Sequence, residues 1–186
     1  MKRYIFLFIS FLYMFSTVAS GQARWNQVYQ SYIDQYKDMA IEGMLKYGVP
    51  ASITLAQGLL ESGAGRGRLV NNHFGIKCHG WLGRTISHDD DAKGECFRAY
   101  DSALESFEDH CKFLRDRPRY SSLFSLDRSD YRGWAYGLKR AGYATNPVYA
   151  QSLINLIELY KLYEYDKAKS YDRFMAHHSG ENSVVR

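Results

Sequence analysis

A single glutamate, Glu61, closes an apolar run and opens into four glycines, two arginines and two asparagines in LLESGAGRGRLVNNHFGIK, residues 59–77. Most glutamates are solvated surface acids. A helix starting near Pro50, however, sets Thr54, Gln57 and Gly58 on the same side as Glu61, at offsets of seven, four and three. Glycine inside a helix costs about 1 kcal/mol relative to alanine. Its presence at 58 therefore predicts a cleared space beside Glu61, with Gln57 facing it. The helix C-terminus disfavours an anion and helps keep the carboxyl protonated. A general acid needs that state, since it must give its proton to a leaving group.

Other reactive side chains point elsewhere. His73, Cys78, His79, His88 and Cys96 share one segment, but their spacing matches neither paired C-x-x-C nor H-E-x-x-H, so no metal or cofactor is expected. His110 and Cys111 are adjacent and point about a quarter-turn apart on a helix. Cys111 shares an apolar stripe with Leu104, Phe107 and Leu114, which makes it a buried hydrophobe rather than an activated nucleophile. Cys78 and Cys96 are then the expected disulfide, stabilising the fold by roughly 3 kcal/mol in the loop-entropy model. Such a bond belongs to an oxidising compartment.

The flanks agree with export. Lys2 and Arg3 precede an apolar run at 5–15, and small residues follow at 16–23, as in a secretory signal segment. The run is shorter than the roughly 20 residues of a spanning helix, so no stable membrane insertion is expected after cleavage. The remaining chain reads as one domain at 24–166 and a polar tail at 167–186. Net charge is +4, but it resides in the two ends, and residues 24–166 balance. A neutral body lacks the clustered basic face of a nucleic-acid binder. A monomer is expected.

Helices must position Glu61. Tyr29, Tyr32, Ile33, Tyr36, Met39, Ala40, Gly43, Met44 and Tyr47 recur at spacings of three and four and stop at Gly48. Ile53, Ala56, Leu59 and Leu60 supply the core face of a shorter helix after Pro50. From 63 to 101 the helical period gives way to glycine-rich turns and a small antiparallel hairpin. SALE, residues 102–105, reads as a capping box. Trp134, Leu138 and Ala141 mark a further helix, and Asn146-Pro147 opens a last one with Ala150, Leu153, Ile154, Ile157 and Tyr160 inward. The plan is α+β and predominantly helical, with a small β lobe between helices and Glu61 at the seam, where a ligand groove is common.

Three segments carry a family resemblance: PASITLAQGLLESGAGRG at 50–67, NNHFGIK at 71–77 and AGYATNPVYAQSLINLI at 141–157. In this order they resemble the motifs of the bacterial endo-β-N-acetylglucosaminidases of glycoside hydrolase family 73, which cut peptidoglycan. The resemblance spans roughly 29–163. It implies a lysozyme-like fold, no cofactor, and glycan strands of the cell wall as partner. Glu61 matches the general acid, and Tyr143 matches the tyrosine taken to support the acetamido group or the acid. Asn71, Asn72 and Phe74 match the groove-shaping segment. The family's second acid lies in the β lobe, where this chain offers HDDDAKGEC, with Asp90 and Asp91 favoured over Glu95. A solvated hairpin tip or a loose cation site is the plainer account of the aspartates. Many relatives carry tryptophan where this chain has Ala64, and Trp81 is the expected replacement platform for a sugar ring, or else a cover over the small core beneath the disulfide.

Two other functions fit the same groove. One is cleavage on the other side of the disaccharide repeat, as in muramidases or lytic transglycosylases of the same fold. The other is a wall-binding module without turnover.

Overall fold

The computed structural model describes residues 24–67, 69, 71–89 and 93–170. The expected signal segment, Asp90, Asp91 and the tail beyond 170 lie outside the described residues. Helix α1 spans Gln27–Tyr47. Asn26 caps it, its side-chain oxygen accepting from the Tyr29 N–H at 2.8 Å. Gly48, at φ 86°, ends it by adopting the left-handed conformation that glycine takes without strain.

Helix α2, Ala51–Glu61, has no solvent face over most of its length. Every residue from Ala51 to Leu59 is buried, Thr54, Gln57 and Gly58 included, which corrects the division into a core face and a separate catalytic face. Helix α1, the last helix and a C-terminal 3₁₀ segment, Leu162–Lys167, surround it. Leu60, expected inward, is exposed. The space at Gly58 is not open to a ligand either. A Cβ there would stand 2.4 Å from the Tyr32 hydroxyl, so the glycine admits a tyrosine ring from α1.

A helix buried at its start needs partners for its first N–H groups. Pro50 provides no side-chain cap. Asp166, over a hundred positions downstream, accepts from Ser52 N at 2.8 Å and Ser52 Oγ at 2.6 Å.

The β lobe is a two-stranded antiparallel hairpin, β1 Thr85–His88 and β2 Glu95–Arg98, with Ile86 opposite Phe97 and Ser87 opposite Cys96. Residues 76–78 run along the other edge of β2, where Arg98 N donates to Ile76 O and Cys78 N to Cys96 O. The Cys78–Cys96 disulfide closes this edge across a Cα separation of 5.4 Å. Asn72 ties the lobe to its root: its amide donates to the carbonyls of Ile76 and Arg98 and its oxygen accepts from Ile76 N.

Helix α3, Ala103–Asp116, carries Phe107, Cys111 and Leu114 inward, while Leu104 is exposed. Ser102 caps it by accepting from Glu105 N at 3.2 Å, but the Glu105 carboxylate reaches Asp101 N rather than the cap residue itself. A 3₁₀ segment, Pro118–Ser125, leads to α4, Tyr131–Arg140, and α5, Tyr149–Leu159. Ala150, Leu153, Ile154 and Ile157 of α5 are buried as their spacing predicts. Among the described residues no helix is long and apolar enough to cross a membrane.

Candidate active site

Glu61 is the last residue of α2, where the buried helix emerges, and its side chain is exposed. Two concavities meet there. A groove of about 450 Å³ runs from Glu61 past Phe74, Gly75 and Tyr143 to Lys77, His79 and Arg119. A second, of about 240 Å³, continues on the other side along Gly67, Asn72, His88 and Phe97. Glu61 and Gly75 border both. An extended ligand crossing the molecule therefore passes over the Glu61 carboxyl.

Behind Glu61 lies a chain of buried polar groups. Tyr149, the first residue of α5, is buried and lines the groove with its hydroxyl coupled to the Glu61 carboxylate. Gln57 Nε2 donates to that hydroxyl at 2.9 Å, and Gln57 Oε1 meets His110 Nε2 at 3.0 Å. With Gln57 Oε1 accepting, His110 carries its proton on Nε2, and its Nδ1 has no partner among the described residues. Burial pushes His110 down to about 3, so the ring is neutral. It stacks on Phe74 with centroids 3.9 Å apart. Burial raises the Tyr149 hydroxyl well above its ordinary value, and the neighbouring Tyr143 and Glu61 add to that. Tyr149 is thus a neutral donor whose one proton is free for Glu61, because Gln57 already fills an acceptor position.

Tyr143 stands beside this chain. Its ring stacks on Tyr149 at 5.8 Å and its hydroxyl reaches Phe74 O at 3.4 Å. Burial raises its pKa first, and the Glu61 charge second. Lys139 donates to the carbonyls of Ala144 and Thr145, and Arg119 to those of Ala141 and Gly142, pinning the loop that carries Tyr143.

The structure brings Glu61, Phe74 and Tyr143 to one groove, with Asn72 along its extension. Asn71 lies farther along, bordering a hollow with Tyr36, Gly65 and His73. Gln57 lies beneath the groove, fully buried, and touches it only through Tyr149. Glu95 is ion-paired with Lys77 at 2.7 Å. Trp81 stands away from the groove lining: the Arg98 guanidinium lies 4.7 Å from its ring centre, and Tyr100 meets it edge-on. Ala64, at φ 60°, is packed into the core. Tyr149 and His110 were not foreseen as site residues. Tyr149 sits in NPVYA beside the GYAT stretch, but a tyrosine at the head of an apolar helix reads as packing. Cys111 is buried against Gly43, and burial pushes its thiol up to about 12.

Residues 37–162 match the family described as mannosyl-glycoprotein endo-beta-N-acetylglucosaminidase. The chain is 34% identical over 143 residues to the peptidoglycan hydrolase FlgJ of Vibrio parahaemolyticus, covering 68% of this chain and 46% of that protein. It is 35% identical over 154 residues to the exo-glucosaminidase LytG of Bacillus subtilis, covering 74% of this chain and 54% of that protein. The chain thus spans about half the length of these curated relatives. Among solved structures, the catalytic domain of the autolysin Auto from Listeria monocytogenes aligns with a TM-score of 0.62 at 32% identity, over 78% of this chain and 92% of that one. The glycoside hydrolase domain of FlgJ from Salmonella typhimurium aligns with a TM-score of 0.63 at 26% identity, over 84% and 99%. The fold is accordingly shared with these hydrolase domains, and the chain belongs to the glucosaminidase family of glycoside hydrolases, family 73.

Proposed function

We propose that the protein is an exported peptidoglycan hydrolase that cuts the β-1,4 bond following N-acetylglucosamine, with Glu61 as the general acid. One observation carries the reading: Glu61 is the carboxylate at the meeting point of two concavities, backed by the buried Tyr149 hydroxyl. Protonation of a bridging oxygen requires an acid within reach of the substrate and held in a fixed orientation. Tyr149, itself fixed by Gln57, supplies the orientation. The concavities on both sides of Glu61 support cleavage within a strand rather than at its end.

Glycoside hydrolysis also needs a group to attack the sugar or to activate water, unless the substrate's own acetamido group does so. That role is assigned to the β-lobe acids Asp90, Asp91 and Glu95, and replacing each by its amide sorts them. Tyr143, lining the groove beside Glu61, is placed to steady the acetamido group. The names of FlgJ and LytG support cell-wall glycan as the substrate, and the disulfide supports a periplasmic or extracellular location.

The test is digestion of purified peptidoglycan followed by mass spectrometry of the fragments. Products ending in a reducing N-acetylglucosamine, absent with Glu61→Gln, support the assignment. An anhydro-muramic or reducing muramic end would move the cut to the other bond. Binding with no cleavage by the wild-type protein would favour a wall-binding module.

A further inference from the structure

Basic side chains gather in the part of the groove that borders the β lobe. Lys77, His79 and Arg119 line it. Arg117 stands close by, with its guanidinium 4.1 Å from the ring centre of Phe113, another groove residue. Two carboxylates lie near these side chains and both are engaged: Glu95 pairs with Lys77, and Asp109 accepts two hydrogen bonds from Arg98 and one from the Tyr100 hydroxyl. Arg117 and Arg119 form no ion pair among the described residues. His79 feels the excess: desolvation lowers its pKa, and the charges of Arg117, Arg98, Lys77 and Arg119 lower it further.

Arg119 is exposed but tethered. Its Nε donates to Ala141 O at 2.8 Å and its Nη2 to Gly142 O at 2.7 Å. Gly142, at φ 72°, leaves room for it, since a Cβ there would stand 2.6 Å from Nη2. Two nitrogens are thereby spent on the backbone next to Tyr143, and the Nη1 edge of a pre-positioned guanidinium is left over. A fixed arginine loses little entropy on binding a planar anion. Two arginines without ion pairs among the described residues, Arg117 and Arg119, beside a sugar-sized groove are otherwise a cost in self-repulsion, and neutral glycan has no use for them.

We propose that Arg119 and His79, with Lys77 and Arg117 around them, form a carboxylate-binding subsite that engages the acidic substituent of the glycan while Glu61 faces the bond to be cut. The inference rests on the peptidoglycan reading of the Glu61 groove and deepens it, because it makes the enzyme a reader of carboxylates as well as of sugars. A carboxylate reaches such a strand from two sources, the peptide stem or the lactyl group of a muramic residue whose stem has been removed.

The experiment is calorimetric binding to Glu61→Gln protein, which separates recognition from turnover. Three ligands are compared: an uncharged N-acetylglucosamine hexamer, peptide-free glycan strands bearing lactyl carboxylates, and stem-bearing strands. Arg119→Gln and, separately, His79→Glu are made in that background; the second touches none of the backbone bonds held by Arg119. The expected result is that the preference for anionic over uncharged ligand falls about tenfold in each, the scale of one charge-assisted contact. A fall confined to stem-bearing strands names the peptide carboxylate, a fall confined to peptide-free strands names the lactyl carboxylate, and a fall on both shows that the subsite takes either. Equal weakening of all three ligands, or no change in the ratio, overturns the subsite. Normal hydrolysis by Glu61→Gln would instead remove the catalytic reading, while the binding ratio would still judge the subsite.

Discussion

Gln57 donates to the Tyr149 hydroxyl at 2.9 Å from inside a helix that is buried on all sides. That one contact decides where the tyrosine's proton goes. A phenol has one proton to give, and with an amide N–H on its oxygen the proton is turned to the Glu61 carboxylate. The order His110, Gln57, Tyr149, Glu61 is thus a directed chain of donors that ends at the carboxyl.

Tyr149→Phe breaks this chain at its point of contact with Glu61. It also strands the Gln57 amide in a dry interior, where an unpaired donor costs about 1–3 kcal/mol. Turnover is expected to fall about tenfold, the effect of losing the acid's orientation rather than the acid, with KM little altered. Urea unfolding should register the stability loss. Tyr143→Phe, whose hydroxyl makes only a 3.4 Å contact with Phe74 O, should cost less stability. If Tyr149→Phe turns over as the wild type does, Glu61 does not depend on that hydroxyl.

Glu61→Gln keeps the shape of the side chain and removes the proton. Activity on peptidoglycan should drop by about a hundredfold or more, the scale of general acid catalysis. The circular dichroism spectrum and the unfolding midpoint should be preserved, because the side chain is exposed and packs no core. A variant that hydrolyses normally would shift the chemistry to another residue.

The helical frame and the position of Glu61 at a seam were legible because period and punctuation agree: an apolar stripe, then glycines, then a hairpin. What stayed hidden depends on neighbours distant in sequence. Thr54, Gln57 and Gly58 look like a polar face, yet three elements enclose α2 and turn that face into a second core. Asp166 caps a helix that begins at Ala51, a pairing no local pattern announces. The two 3₁₀ segments carry no 3.6-residue period for a sequence pattern to show. Trp81 looks like a sugar platform by type, whereas Arg98 takes its face.

Gly58→Ala tests the packing account of the glycine against helix propensity. Propensity alone predicts a gain of about 1 kcal/mol. The structure predicts a loss of about 1–3 kcal/mol, the usual cost of overpacking a core, because the new methyl meets a Tyr32 ring that is buried and bonded to His73 at 3.0 Å. Tyr32→Phe in the same chain should recover part of that loss by removing the closest atom. A stabilised Gly58→Ala single variant would show that the Tyr32 ring yields freely.

Three buried groups set the response to acid. Burial lowers His73 to about 4 and His110 to about 3, against about 6.5 in an unfolded chain. Their contribution to stability is present above pH 6.5 and is lost as pH falls toward those folded values, because the unfolded chain takes the protons first. Asp166 runs the other way. Burial raises it to about 6 despite its bonds to Ser52, so its contribution is full below about 3.9, the unfolded value, and is lost as pH rises through 6. Between pH 6 and 4.5 two histidines oppose one carboxyl, and unfolding takes up a net of roughly one proton, a slope near 1.4 kcal/mol per pH unit. Stability from urea titrations at pH 7, 6 and 5 should therefore decline with acid. Asp166→Asn should steepen the decline by removing the only opposing group of the three. A flat profile in both proteins would mean that these histidines titrate as they do in water.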